Sequence, residues 1–314
     1  MTLEEILTAT EAESQDRQAR LSLKDIVRKV AKMKPTRGFA RSIARADFSV
    51  IAEIKRKSPS MGEINPRADE VAVPVYHHHH FVSAISVLTQ FSAFGGSPEI
   101  LASVRHRTQC KPKPILRKDF IFSEYEVFFS RYIGADAILL MANVVKDAAE
   151  FKRLHDLAIE LGMDVLCEVH DEEEISRLPD TVRICGINSR KFKNAKHKTT
   201  VLQRISNSLA ISSNNKHDTR TDTSVFSLYD KLPTHCIKIA ESGISKSNLK
   251  GVLDRYSFDA ALVGTSLLKD TINVGALAAD QISGQISQLE EIYKNLQADF
   301  PVRGHVGREL VGAH

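Results

Sequence analysis

Long apolar runs are missing from this 314-residue chain, and none approaches the roughly 18 residues of a membrane-spanning helix. No secretory leader is expected either, since Met1 to Ile6 carry acid where a basic n-region and an apolar h-region would stand. The four cysteines, Cys110, Cys167, Cys185 and Cys236, form no C-x-x-C pair. Three of them lie in or beside apolar strand-like runs, so packed, reduced thiols and no metal are expected. Nor is there an excess of one charge, since 43 Lys and Arg against 39 Asp and Glu leave a formal +4. Nucleic acid would call for a concentrated basic stripe. This balance suits a mildly basic site for an anionic small molecule. The expectation is a cytoplasmic protein with no membrane and no nucleic-acid partner, monomeric or a weak homodimer.

What is present is ordinary for a globular chain: 42% hydrophobic and 26% charged residues, enough for a core without staples. The length fits one large or two medium domains, and (β/α) barrels of roughly 250 residues are a single-domain exception. Residues 1–46 are helical in pattern. Leu23 to Ala31 place apolar residues at three- and four-residue spacing until Pro35 and Gly38 break the run. Beyond them the chain alternates. Strand-like runs fall at Val50–Ile54, Ala84–Leu88, Pro114–Leu116, Ala137–Met141, Asp164–Cys167, Arg183–Ile187, Cys236–Ala240 and Ala260–Val263. The clearer helical patterns between them are Pro98–Arg107, Ser123–Ile133, Lys146–Leu161, Glu172–Leu178 and Ser245–Tyr256, and Thr271–Gln297 forms an amphipathic tail. Eight apolar strands alternating with helices predict an α/β protein with a parallel sheet closed as a (β/α)8 TIM barrel. The expected divisions are an N-terminal helical extension over 1–46, the barrel over 47–270, and a C-terminal helix and tail over 271–314.

Two stretches fit badly. Residues 67–83 should supply the first crossover helix, yet Pro74 would interrupt it at a cost of roughly 3 kcal/mol, and His77–His80 follow. The four histidines invite a metal reading; without a nearby carboxylate or cysteine in sequence, an exposed helix end on the barrel's outer or lower side is expected. Residues 206–230 are polar and unperiodic, and read as an exposed insertion between the sixth and seventh strands.

Barrels of this kind build their sites at the C-terminal ends of the strands. Glu53 and Lys55, two apart and so on one strand face, follow strand one. Arg117-Lys118-Asp119 end strand three, Glu168 ends strand five, Asn188 and Arg190 end strand six, and Glu241-Ser242-Gly243 end strand seven. Any one of these could be a solvated strand end. Two lysines, three glutamates and an asparagine at one mouth make a site. The turns at Ser242-Gly243 and Gly264-Thr265 stand where barrels frequently bind phosphate through backbone N–H groups, with Ser58 and Lys55 closing from the other side. Taken alone, each is a tight turn before a helix.

The ordered motifs Ile51-Ala-Glu-Ile-Lys-Arg-Lys-Ser-Pro-Ser60, Ile115-Leu-Arg-Lys-Asp-Phe-Ile121, Leu166-Cys-Glu-Val-His170, Gly186-Ile-Asn-Ser-Arg190, Ala240-Glu-Ser-Gly-Ile244 and Leu262-Val-Gly-Thr-Ser-Leu267 resemble those of indole-3-glycerol phosphate synthases. The resemblance runs from about residue 20 to 270. It implies closure of an indole ring on 1-(2-carboxyphenylamino)-1-deoxyribulose 5-phosphate, with loss of carbon dioxide and water and no cofactor. It also implies roles. Lys118 would be the general acid, with burial lowering its pKa into a useful range. Glu168 would serve the dehydration, oriented by Asn188, and Lys55 would pair with the substrate's anionic groups. Glu53 and Glu241 would hold the lysines. Ser58, Gly243, Gly264 and Thr265 would bind the phosphate, Pro59, Ser242 and Leu262 would contact substrate, and Phe94, Phe120 and Leu139 would wall the anthranilate ring. Arg190 has two readings, a substrate contact or a structural partner of a strand-end carboxylate.

The chain departs from the family pattern at Gln90, where an acid is usual, at Lys191, and at Met61, where Lys is common. A divergent paralogue acting on a related aryl-amino sugar phosphate or indole-derived substrate, or a phosphate-binding barrel without turnover, remain alternatives. Against the last stands the joint presence of Lys55, Lys118, Glu168 and Asn188.

Overall fold

The computed structural model describes residues 1–110, 112–190, 221–269, 271 and 276–299. Helices α1 (Leu3–Arg20), α2 (Leu23–Val30) and α3 (Phe39–Ile43) precede the first strand, β1 (Ser49–Ile54). A short hairpin, β2 (Lys57–Ser58) with β3 (Gly62–Glu63), leads into α4 (Ala68–His78). Then follow β4 (Val82–Leu88), α5 (Phe91–Phe94), α6 (Pro98–Arg107), β5 (Ile115–Lys118), α7 (Glu124–Tyr132), β6 (Ala137–Met141), α8 (Ala148–Glu160), β7 (Asp164–Val169), α9 (Glu172–Ser176) and β8 (Ile184–Asn188). A 3-10 helix at Thr223–Lys231, β9 (Ile237–Glu241), α10 (Leu249–Arg255), β10 (Ala260–Val263), α11 (Thr265–Leu268) and α12 (Ala276–Asp299) complete the described chain. The eight long strands close into one parallel barrel in the order β1-β10-β9-β8-β7-β6-β5-β4. All eight predicted strands are there, two with the expected bounds and six with bounds shifted by one or two residues.

Strand parity divides the core in two. Ile51, Leu116, Leu139, Leu166, Ile184, Ile239 and Leu262 fill the barrel, while Val50, Ala52, Ile54, Leu140, Val165 and Ile187 pack outward beneath the helices. Because strand residues alternate faces, Glu53 and Lys55 inherit the inward side of Ile51, Lys118 that of Leu116, and Glu168 that of Leu166. The hydrophobic pattern thus aims the polar strand ends. Helix starts are fixed by the residues that precede them: Ser97, Ser123, Asp147 and Asp171 each accept the backbone N–H three residues on.

The first crossover helix forms in spite of Pro74, contrary to the expectation of a break. Pro74 offers no N–H to the Glu70 carbonyl one turn back. Arg107 fills that vacancy, its guanidinium donating to the Glu70 carbonyl at 3.2 Å and the Asp69 carbonyl at 3.0 Å. Burial of Ala68, Val71, Ala72, Val73 and Tyr76 holds the helix against the barrel. The histidine run is not simply an exposed helix end. His77 is buried, His79 Nε2 meets Ser287 Oγ at 3.3 Å, and His80 Nε2 meets Glu290 Oε1 at 2.9 Å. Ligand atoms of His79, His80 and Glu290 lie within 4.8 Å of one another, so the fold supplies the carboxylate that the local sequence lacks. Lys294 already pairs with Glu290, however, and the Phe81 N–H donates to His79 Nδ1 at 3.3 Å. The contact docks α12 at the base of the barrel, away from the strand ends that carry the polar cluster.

Part of the stretch 206–230, read as an exposed insertion, is ordered instead. Thr223–Lys231 is helical and buries Val225, Phe226 and Leu228; residues 206–220 lie outside the described residues, as does Lys191. Cys167, Cys185 and Cys236 are buried and Cys110 is exposed, and none of the four forms a disulfide. No helix among the described residues is long and apolar enough to cross a membrane.

Candidate active site

Lys118 stands at the centre of the mouth. Its Nζ lies 3.2 Å from Glu168 Oε2 and 3.3 Å from Glu241 Oε2, joining β5 to β7 and β9 across the barrel. Glu53 and Lys55 form a second, buried pair at 2.6 Å. Room for these carboxylates comes from two glycines. A Cβ at Gly186 would sit 1.9 Å from Glu241 Oε1, and one at Gly264 would sit 2.4 Å from Glu53 Oε1. Glu53, Lys55, Arg190 and Ser242 border two adjoining cavities, and Lys118 and Glu168 line the first of them. One holds about 480 Å³ and is walled by Leu88, Phe94, Phe120, Leu139 and Met141. The other, about 1070 Å³, is lined by Ser242, Gly243, Ser245, Leu262, Gly264, Thr265, Ser266 and Lys269. Apolar walls stand on one side of the charges, and glycine turns with hydroxyls on the other.

The second cavity has a strained rim. Ser242 at φ +64° is the only non-glycine with positive φ among the described residues, and Gly243 follows at +68°. Successive left-handed residues cost a non-glycine energy, and backbone N–H groups in such turns form concavities suited to anions.

Electrostatics correct one expectation. Burial does lower the Lys118 pKa, but Glu168, Glu241 and Glu53 outweigh it and hold the ammonium well above its ordinary value. Of the two lysines at the mouth, the one whose pKa is depressed is Lys55, where burial, helped by Arg190 and Lys118, outweighs Glu53. Burial and the neighbouring Glu168 push Glu241 up to about 8 against the pull of Lys118. Glu168 goes the other way: burial raises it, yet Lys118, His170 and Asn188 bring it below the usual carboxylate range. One carboxyl stays protonated near neutrality while its neighbour is ionised, the separation that general acid–base chemistry exploits.

Of the residues anticipated from sequence, Glu53, Lys55, Lys118, Glu168, Asn188, Arg190, Ser242, Gly243, Leu262, Gly264, Thr265, Phe94, Phe120 and Leu139 line one or both cavities, and Glu241 joins them through Lys118. Ser58 and Pro59 line neither. Ser58 is buried with its Oγ accepting the Met61 N–H at 3.2 Å, so it shapes the loop beyond β1. Arg190 borders both cavities, and a β-bridge to Thr221 holds its backbone. Reading the sequence missed Leu88, Met141, Lys269 and His170. Strand parity would have found Leu88, Met141 and His170; Lys269 lies past a helical turn and gives no such signal. Gln90 turns out to be a capping residue, accepting the Ala93 N–H at 2.7 Å and donating to Ser92 at 2.7 Å and Glu13 at 3.4 Å. An acid in its place would meet Glu13 as a like charge.

This geometry has counterparts. The sequence model described as indole-3-glycerol phosphate synthase matches residues 3–215. The chain belongs to the indole-3-glycerol phosphate synthase family. The family member from Nocardioides sp. is 36% identical over 276 residues, covering 88% of this chain and 96% of that protein. "Indole-3-glycerol phosphate synthase 1" of Streptomyces coelicolor is 32% identical over 267 residues, covering 85% and 89%. The fold is shared more widely. A chain of the tryptophan synthase complex from Pyrococcus furiosus superposes with a TM-score of 0.52 at 13% identity, covering 77% of this chain and 98% of that one. At such identity only the barrel is common.

Proposed function

We propose that this chain makes indole-3-glycerol phosphate from 1-(2-carboxyphenylamino)-1-deoxyribulose 5-phosphate, releasing carbon dioxide and water. One observation carries the reading: Lys118, Glu168, Glu53 and Lys55 line a cavity whose other wall is apolar, and Glu53 and Lys55 also border a cradle of glycine turns. A substrate with an aryl ring at one end and a phosphate at the other, reacting in the middle, matches that order. The ring would lie among Phe94, Phe120, Leu139 and Met141. The phosphate would take the backbone N–H groups near Gly243 and Gly264, with Ser242, Thr265 and Lys269 adding donors.

Ring closure forms a bond between the aryl carbon bearing the carboxylate and the ketone carbon, whose oxygen must gain a proton. Lys118, which lines that cavity and is held as the ammonium, is the donor for this proton. Lys55 would pair with the substrate carboxylate, and that carboxylate leaves as carbon dioxide when the ring regains aromaticity. Loss of water then requires a proton delivered to the hydroxyl and another removed from the adjacent ring position. Glu168 serves that step, with Asn188 orienting it and Glu241 as the neighbouring reservoir.

The test is direct. The full chain is incubated with the carboxyphenylamino-deoxyribulose phosphate while indole emission is followed; the chain contains no tryptophan to mask the product. Product should appear at a rate proportional to protein. Saturable substrate binding without product would refute the reading in favour of a non-catalytic barrel.

A further inference from the structure

His170 has no role in the chemistry above, yet it stands two residues beyond Glu168 and so shares its inward face. Its ring is buried, with Nε2 3.5 Å from Glu168 Oε1. Neither atom has a hydrogen-bond partner among the described residues. On the other edge of the ring, Nδ1 lies 3.2 Å from Glu174 Oε2, and that oxygen also accepts the His170 backbone N–H at 2.7 Å. Asn143 Nδ2 approaches Nδ1 at 3.4 Å. Glu174 sits in the first turn of α9, where its own N–H is capped by Asp171 at 2.8 Å, so the helix after β7 fixes the carboxylate in place.

The hydrogen count follows from these contacts. Of the two neighbours of Nδ1, the Glu174 carboxylate is nearer and charged and places the hydrogen there over the longer Asn143 amide contact, which leaves the neutral ring a lone pair on Nε2. That lone pair points at a carboxylate oxygen. Two acceptors face each other unless one proton lies between them, either on nitrogen as an imidazolium–carboxylate pair or on oxygen as an acid donating to imidazole. We propose that His170, oriented by Glu174, is the positioning residue for Glu168 and shares one proton with it. The shared proton fixes Oε1 and leaves Oε2 toward Lys118 and the cavity. If Glu168 serves dehydration, as proposed above, the pair gives one proton to the departing hydroxyl and regains one from the ring position, ending with the same number. The groups facing the imidazole are Glu168, Glu174, Glu241 and the amide of Asn143. Burial opposes a charged ring, but these carboxylates outweigh it and raise His170 above the usual histidine range.

The decisive measurement does not depend on turnover. The full chain is labelled with 15N in its histidine rings and titrated by NMR; His170→Asn identifies the signal among the twelve histidines. Nδ1 should stay protonated throughout, and Glu168→Gln should move the Nε2 titration to lower pH by about one unit or more. A ring protonated only on Nε2, or a titration unmoved by Glu168→Gln, overturns the proposal whether or not the chain is a synthase. In the activity assay His170→Asn should lower kcat by about 10- to 100-fold with KM held within about threefold, and should shift the acid limb of the kcat profile. Glu174→Gln, which keeps the imidazole, should shift that limb the same way by less, and carries the kinetic arm if His170→Asn does not fold. An unchanged pH profile in a folded variant overturns it.

Discussion

The two ends of the barrel both bury carboxylates but satisfy them differently. At the base, Asp136 accepts the backbone N–H groups of Arg37 and Ile115, each at 2.8 Å, and Arg105 at 2.6 Å. Asp164 accepts the Ala40 N–H at 2.9 Å, and Asp259 the Lys238 N–H at 2.7 Å. Each stands at or just before the start of a strand and ties a neighbouring backbone to it. At the mouth, Glu53, Glu168 and Glu241 are held by lysine side chains, and Oε1 of both Glu168 and Glu241 lacks a hydrogen-bond partner among the described residues. Buried polar atoms left unmatched destabilise a fold. The base is arranged for stability, whereas the mouth forgoes some of it to keep acceptors and protons available.

The largest effect that would test this contrast is on rate. Lys118→Ala should lower kcat/KM by about 10²- to 10⁴-fold, the range for a positioned general acid, in the indole emission assay. A loss below tenfold would remove Lys118 from the acid's place.

Next in size is the base. Asp136→Asn should cost about 3 kcal/mol of unfolding free energy, because the two backbone donors use different carboxylate oxygens, of which an amide keeps one, and Arg105 loses its counter-charge. Denaturant unfolding gives the number, and kcat of the folded fraction should stay within about twofold. A variant as stable as wild type would end the claim that this carboxylate holds the base.

The mouth should respond with the opposite sign. Glu241 titrates near 8 in the folded chain against an ordinary 4.5. A carboxyl raised on folding contributes stability that is fully present below 4.5 and lost as pH rises through 8. Glu241→Gln should therefore raise Tm at pH 9 by about 2–5 °C and change it less at pH 5, while slowing turnover. A lower Tm at pH 9 would place Glu241 with the base aspartates.

Much of this contrast was legible in the chain. Glu53, Lys55, Lys118, Glu168, Asn188 and Glu241 follow apolar strands at positions whose parity matches the residues filling the barrel, so a period-two pattern and a barrel suffice to gather them. The direction of the Lys118 shift was not legible, since it depends on three carboxylates brought from β1, β7 and β9. Nor was the duty of Ser58, because a two-stranded hairpin turns its hydroxyl into the loop. Gly186 reads as part of the sixth strand and Gly264 as a turn residue, yet each also makes room for a glutamate from the neighbouring strand, a contact between strands that no linear pattern encodes.

The smallest effect concerns α4, where local sequence pointed away from the observed helix. Pro74 forfeits one hydrogen bond, and Arg107, 33 residues on and in another helix, takes the carbonyl it frees. If that exchange is what lets the helix persist, the two positions are coupled. Arg107→Ala should cost about 1 kcal/mol with Pro74 present, leaving the Glu70 carbonyl to solvent at a helix surface. In a Pro74→Ala background the Ala N–H reclaims that carbonyl, and the same substitution should cost about half as much or less. The double-mutant cycle measures the difference by denaturant unfolding. Equal costs in both backgrounds would mean that Arg107 acts through its bond to Asp69 alone, and that burial of Val71, Ala72 and Tyr76 suffices to hold a proline-interrupted helix.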